Sequence, residues 1–311
     1  MKKLCSYIFL FFALLPTPFA AAAKTDGMYI KDISVERLQN IYDKYGYSSY
    51  LFVKKGLVPR IFLQKFPKDF DKIKNNDIRN RMFIRILTPL ALQVNEEIMR
   101  ERTELLAMNE DFKKNQGLEE KQIKRLEKLA LKYDAFTRLK GYRRQQLQLQ
   151  MLRARIYPVP VSFLVAVSAM ETNWGASRIV KEGNALYKEL NWYTTKGLKP
   201  QGEEDDSYRI RTFPTLYDSM ASYALHFNSS VDFDHTRFLR SLKLATNTEP
   251  SGQEIAHSML HQSPLKNYAG ILKYTITFYR LMYLDVTKLQ TGYPKPQPKN
   301  QEKSNKTTDN E

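Results

Sequence analysis

Apolar residues recur at helical spacing through much of the chain. From Ser34 onward, Leu38, Ile41, Tyr42 and Tyr45 share one face, which predicts a helix. A longer helix is expected over 82–108, apolar first and charged later, with Pro89 expected to kink it. Its charged half, with Glu96, Glu97, Arg100, Glu101 and Arg102, reads as a solvated face. Residues 109–150 place Lys, Arg, Glu and Gln around Leu126, Leu129, Tyr133 and Phe136, an amphipathic pattern that predicts further helix. Residues 24–33 read as an export linker. Residues 57–70, with Pro59 and Pro67, read as an extended connector.

The pattern changes at Tyr157-Pro158-Val159-Pro160. Residues 161–170 are apolar nearly all round, so a buried helix should follow. Gly175 permits a tight turn, and a second helical piece is expected from near Ser177. The Gly and Pro content of 190–201 predicts loop, whereas 208–213 alternates like a short strand. Thr215 with Asp218, and Ser251 with Glu254, have the spacing of capping boxes. The first opens a helix with Met220, Tyr223, Ala224 and Phe227 on one face; the second precedes Ile255, Met259 and Leu260. Tyr268, Ile271, Leu272, Thr275, Phe278, Tyr279 and Met282 form one stripe of a last helix. No internal repeat is visible. The expected fold is mainly α with a small β excursion around 190–213.

The N-terminus changes the picture by assigning a compartment. Lys2 and Lys3 precede an apolar run over 4–15, Pro16 and Pro18 break it, and small residues fill 20–23. That is the pattern of a secretory signal peptide, too short to span a bilayer. An exported protein of the periplasm or cell envelope is expected, with no transmembrane segment in its mature form. Cys5 lies within this segment, so the mature chain should contain no disulfide, thiol nucleophile or cysteine metal site. The net charge of +16 becomes +14 without Lys2 and Lys3. On an exported protein this favours anionic envelope polymers or membrane surfaces over nucleic acid, for which no motif of interleaved aromatic and basic residues is present. The tail after Gln290 is Lys, Pro, Asn and Gln with little to bury, and is expected to be disordered and basic.

Candidate chemistry lies in Ser168-Ala169-Met170-Glu171-Thr172-Asn173-Trp174-Gly175-Ala176-Ser177. A carboxyl sits at the C-terminal end of a buried helix, three residues before a tryptophan. The negative end of the helix and partial desolvation both disfavour its ionised form. A glutamic acid that keeps its proton near neutrality is what glycosidic cleavage needs, because the leaving oxygen must be protonated. The same spacing also fits a surface glutamate just past a helix beside a core tryptophan.

From Val159 to about Asp285 the chain resembles the Bax-type proteins of the glucosaminidase family, glycoside hydrolase family 73. Members have a Pro-bearing lead-in, an acid in the pattern E-S-x-W-G-x-S, and a Gly-Asn-Asn-Leu-Phe-Gly stretch. Here these correspond to Glu171-Thr172-Asn173-Trp174-Gly175-Ala176-Ser177 and Gly183-Asn184-Ala185-Leu186-Tyr187. Phe213, Ser219, Tyr223 and Asn228 match the family's strand end and the helix that follows it. Leu57-Val58-Pro59 and 87–95 resemble the N-terminal region of the Bax group. With the resemblance the expected organisation is a signal peptide over 1–23 and a disordered basic tail over 290–311, both read from composition. Between them lie a helical N-terminal region over 24–150 and a lysozyme-like catalytic domain over 151–289, the latter implied by the resemblance. The resemblance implies Glu171 as catalytic acid and Tyr223 as a cleft tyrosine, with Trp174, Asn184, Tyr187 and Phe213 shaping the substrate site. Trp174 and Tyr187 also fit core aromatics, Asn184 a helix cap, and Tyr223 the apolar face of its helix.

The chain departs from the family at Ala185, which replaces the second Asn, and at Lys188, where many members have Gly. The family's second carboxylate lies in the β excursion. Here Glu203, Glu204, Asp205 and Asp206 bunch there, and Glu203 or Glu204 is favoured as the base that activates water. Substrate assistance by an acetamido group is the other route. No cofactor is called for. No metal site is expected, because His257 and His261 lack the H-E-x-x-H pattern and a third ligand. The expected reaction is hydrolysis of the β-1,4 bond after N-acetylglucosamine in peptidoglycan glycan strands. The alternatives are a lytic transglycosylase and a wall-binding protein without activity.

Overall fold

Residues 26–47, 56–192, 194–202, 207–259 and 267–296 of the computed structural model are described and form a mainly α protein. The expected signal peptide, the cluster Glu203, Glu204, Asp205 and Asp206, His261 and the tail from 297 lie outside the described residues. The elements run β1 (Met28–Ile30), α1 (Val35–Lys44), β2 (Leu57–Val58), β3 (Ile61–Leu63), α2 (Asn76–Asn115), α3 (Glu120–Lys132), α4 (Gly141–Arg155), α5 (Val161–Thr172), α6 (Arg178–Gly183), β4 (Leu190–Trp192), β5 (Tyr208–Ile210), α7 (Leu216–Ser229), α8 (Asp234–Ala245), α9 (Gly252–Ser258), α10 (Tyr268–Phe278) and β6 (Lys288–Leu289). Short 3-10 turns occur at Phe70–Lys72, Val231–Phe233 and Leu281–Val286.

The expected buried helix is α5, and burial takes in nearly all of it, from Val161 to Ala169. With no polar face, it must be enclosed on every side. It packs against α2, α9, α10 and the turn Leu281–Val286. Its N-terminal end is tied by Asp285, whose carboxylate accepts from Ser162 N (2.8 Å), Ser162 Oγ (2.7 Å) and Gly252 N (3.2 Å). An acidic group at a helix N-terminus satisfies free amides and the dipole together.

The long helix α2 is 40 residues and runs uninterrupted through Pro89. A proline there cannot donate to the carbonyl four residues back. That carbonyl, on Arg85, instead accepts from the Tyr47 hydroxyl at 3.0 Å. The charged half of α2 is the solvated face the sequence predicts only at Arg100, which is exposed; Glu96, Glu97, Glu101 and Arg102 are partly buried and engaged. Glu96 pairs with Arg60 at 2.6 Å, and Glu101 receives Lys132 Nζ at 2.8 Å and the Tyr133 hydroxyl at 2.7 Å. Arg102 donates to the carbonyls of Arg153 and Ile156. Asn95 exchanges two hydrogen bonds with the backbone of Val159, at 2.7 and 3.0 Å. Glu96 and Glu101 thus hold the N-terminal region together, while Asn95 and Arg102 are where it grips the rest of the chain.

Both capping boxes form, at Thr215 and at Ser251. Other expectations are corrected. Residues 24–33 are not all linker: β1 pairs in parallel with the buried β3, and β2 with β6 near the other end of the chain. Leu190–Trp192, expected as loop, is a strand antiparallel to β5. The stripe from Tyr268 to Met282 is not one helix, because α10 ends at Phe278 and Arg280 turns left-handed at φ 53°. Ile271 and Phe278 on that stripe are exposed. Helix α8 was not foreseen.

Gly252 marks the closest approach of α9 to α5. A Cβ there would lie 1.9 Å from Ser162 Oγ and 3.0 Å from Phe163 N, and Asp285 holds Ser162 in place. We expect Gly252→Ala to destabilise the fold by about 1–3 kcal/mol through overpacking. Thermal denaturation should show a midpoint several degrees lower, and an unchanged midpoint would mean that the α5–α9 contact is looser than described.

Candidate active site

Glu171 occupies the last turn of α5. The chain leaves the helix through three consecutive residues at positive φ: Asn173 (47°), Trp174 (56°) and Gly175 (79°). A non-glycine residue in this region costs of order 1–3 kcal/mol, so packing must hold Trp174 there. Its ring lies 4.3 Å from that of Tyr279 and 5.6 Å from that of Phe83. The turn is fixed from inside by Thr172, whose hydroxyl donates to Ser168 O at 2.6 Å and accepts from Gly175 N at 3.0 Å. A Cβ on Gly175 would meet the rings of Phe70, Phe66 and Phe83 at 2.9–3.1 Å. The local sequence Thr-Asn-Trp-Gly therefore fixes where α5 ends, and with it where Glu171 points.

The Glu171 side chain is about one-fifth exposed. The Tyr268 hydroxyl, from the first residue of α10, donates to its Oε1 at 3.4 Å, and Lys188 Nζ stands 3.8 Å from Oε2. Burial raises its pKa above the usual carboxylate value; Lys188 and the Tyr268 hydroxyl oppose that rise. The outcome is a carboxyl biased toward its protonated form.

Behind Glu171 the rings of Tyr187 and Tyr223 stack at 4.0 Å and 6°. Tyr187 is fully buried, and its hydroxyl donates to Leu164 O at 3.2 Å. Tyr223 is also buried, within electrostatic range of Glu171, Glu189 and Tyr268. Asn184 ends α6 at φ 49° and spends its amide on the carbonyls of Phe213 (2.9 Å) and Pro214 (3.1 Å). Phe213 N returns a bond to Gly183 O at 2.8 Å, and its ring carries the Arg211 guanidinium at 4.9 Å. The structure thus brings Glu171 and Tyr223 together, while Asn184, Phe213 and Tyr187 brace the root of the β excursion. Ala185, where the family has Asn, is fully buried. Glu203 and Glu204 lie outside the described residues.

Sequence reasoning missed two residues. Tyr268 read as one apolar position of a stripe, yet its hydroxyl reaches Glu171. Glu189 is a buried carboxyl whose Oε2 accepts from Ser222 Oγ (2.7 Å) and Arg211 (3.2 Å), while Oε1 is buried with no hydrogen-bond partner among the described residues. Its signal was period two: Tyr187 and Glu189 point inward while Lys188 between them points out. Burial pushes its pKa up to about 7 against the pull of Arg211 and Ser222.

Residues 149–289 match the family model described as mannosyl-glycoprotein endo-β-N-acetylglucosaminidase, and this segment is a glucosaminidase-family domain. Among solved structures, the catalytic domain of the autolysin Auto from Listeria monocytogenes is similar, at 16% identity and a TM-score of 0.33. That likeness covers 49% of this chain and 92% of the other. Comparison with curated proteins returned no match. The matched segment begins inside α4 and contains Glu171, Lys188, Glu189, Tyr223 and Tyr268.

Glu189 gives this domain a pH-dependent stability. Its folded pKa lies above the value of 4.5 that it would have unfolded. Between these values the native state holds a proton that the unfolded state has lost, so stability falls as pH rises through that window. We expect Glu189→Gln to flatten the decline between pH 5 and 8, a term of about 3 kcal/mol for a shift of that size. Denaturant titrations across that range provide the check. An equal slope in both proteins would assign the pH dependence to other groups.

Proposed function

We propose that this protein is a peptidoglycan hydrolase of the Bax-type group, an endo-β-N-acetylglucosaminidase that cuts the β-1,4 bond after N-acetylglucosamine. The observation that carries this reading is the Glu171 carboxyl: partly buried, biased toward its protonated form and set in the glucosaminidase-family domain. The same residue stands in the family's acid motif. In this reading Glu171 gives its proton to the glycosidic oxygen as the bond to the anomeric carbon breaks. Water then supplies hydroxide to that carbon, so one water is consumed for each bond cut. Its proton leaves through Glu203 or Glu204, or the substrate's acetamido group takes the place of a base. Tyr223 and Tyr268 fix the carboxyl and the sugar beside it. Trp174 shapes the turn that aims the acid. The basic surface and the N-terminal segment support action in the cell envelope on anionic wall polymers. Among the described residues no helix is long and apolar enough to cross a membrane.

Because Glu171 must be protonated to act, kcat/KM should fall as pH rises past its elevated pKa. Glu171→Gln keeps the shape and removes the transferable proton, so turnover should drop ~10²–10⁴-fold while binding to purified sacculi persists. Mass spectrometry of sacculus digests reads the reaction directly. Reducing N-acetylglucosamine ends mark hydrolysis, and anhydro-sugar ends would replace this reading with a lytic transglycosylase. Retained binding without soluble products would mark a wall-binding protein. Replacing Glu203, Glu204, Asp205 and Asp206 together should slow hydrolysis, and an unchanged rate would move the base elsewhere.

A further inference from the structure

Among the described residues Glu171 has a single ion-pair partner, Lys188, and that partner works against the chemistry proposed for it. A cation 3.8 Å from a carboxylate stabilises the ionised form, whereas a general acid must be neutral to donate. Among the described residues Lys188 makes no other ion pair. Its neighbours Tyr187 and Glu189 point into the core, which directs Lys188 outward, and its side chain is 59% exposed. The contact is longer than the 2.7–2.9 Å usual for a charge-assisted hydrogen bond. The buried carboxyl next to it, Glu189, is instead served by Arg211. Lys188 is therefore a loosely held ammonium at the mouth of the site, free to exchange one carboxylate for another.

Glycans built from neutral amino sugars would leave that ammonium where it is. Peptidoglycan strands differ: the lactyl group on alternate sugars ends in a carboxylate, or is joined to a peptide that carries carboxylates of its own. Resting on the reading of Glu171 as the acid, we infer that Lys188 is a receptor for a substrate carboxylate beside the scissile bond. A glycan that draws the ammonium away from Glu171 removes the one charge opposing its bias toward the proton-bearing form, so the acid holds its proton more firmly as the glycan binds. The enzyme thereby selects carboxylate-bearing amino-sugar strands over neutral ones. Among the described residues the other groups facing Glu171 are the phenols of Tyr268, at 3.4 Å, and Tyr223, and burial pushes both to still higher pKa values. Lys188 is the neighbour whose removal changes the charge around the acid.

Binding and turnover test this separately. Equilibrium binding to the Glu171→Gln protein, which needs no cleavage, is measured with four probes. These are a neutral chitooligosaccharide, peptide-free peptidoglycan strands, peptide-bearing strands, and peptide-bearing strands with their carboxylates amidated. Carboxylate-bearing probes should bind about tenfold more tightly than the neutral one. Lys188→Met should abolish the preference and Lys188→Arg should keep it. A preference shown by peptide-free strands assigns the lactyl carboxylate, and one lost on amidation assigns the peptide. No preference, or a preference that survives Lys188→Met, overturns the proposal. In the Glu171-containing protein, Lys188→Met should move the alkaline limb of kcat/KM on the neutral glycan to higher pH, and an unmoved limb overturns the coupling to the acid. If no glycan is cleaved, the glycosidase reading fails while the binding preference still stands or falls alone.

Discussion

A helix with no polar face constrains everything around it. Helix α5 carries apolar or small residues on all sides through Ala169, so water must be kept from its whole circumference. At roughly 25 cal/mol per Å² of apolar surface, exposing even one side would cost several kcal/mol. The enclosing elements come from distant parts of the chain: α2 from the N-terminal region, and α9, α10 and the turn Leu281–Val286 from the far end. Both ends of α5 then become well-defined points. Asp285 fixes the first, and the left-handed run Asn173-Trp174-Gly175 fixes the second. Glu171 sits one residue inside that second point, where the apolar enclosure gives way to the surface.

The two carboxyls near this end illustrate how environment separates roles. Glu189 is enclosed, with one oxygen bonded to Ser222 and Arg211 and the other without a hydrogen-bond partner among the described residues. It joins the β excursion to α7 one residue before Tyr223. Glu171 is only partly enclosed, touched by the buried phenol of Tyr268 and the exposed ammonium of Lys188. Burial raises both pKa values, but only Glu171 keeps part of its side chain exposed. Two groups of one chemical type thus differ in surroundings through enclosure, and in the proposed function only the more exposed one acts as the acid.

The N-terminal region is continuous with the rest of the core. Phe83 and Phe66 support the turn that holds Trp174, and Asn95 clasps Val159 at the entrance to α5. Strands β1 and β3, though only three residues each, anchor the segment before α1. Arg60 and Arg102 reach across to Gln290 and Ile156. The segment matched to the glucosaminidase family therefore rests on a scaffold outside its own boundaries.

The sequence by itself determined the local features. Helical periodicity, the capping boxes at Thr215 and Ser251, the apolar run of α5 and the carboxyl at its end depend on neighbours within a few residues, and all were legible. The family motif made Glu171 stand out among the chain's many acidic residues. What the tertiary structure decided depends on partners far apart in sequence. The short parallel strands exist only because residues 33 or more positions away supply the other half of each ladder. The polar face of α2 reads as solvated until Lys132, Tyr133 and two carbonyls of the α4 end arrive to meet it. Tyr268 reads as an apolar residue because its ring is buried, and only the approach of α10 to the end of α5 shows what its hydroxyl touches. Lys188 and Glu189 are adjacent charges in the sequence. The fold, by turning one outward to Glu171 and the other inward to Arg211 and Ser222, gives them opposite surroundings.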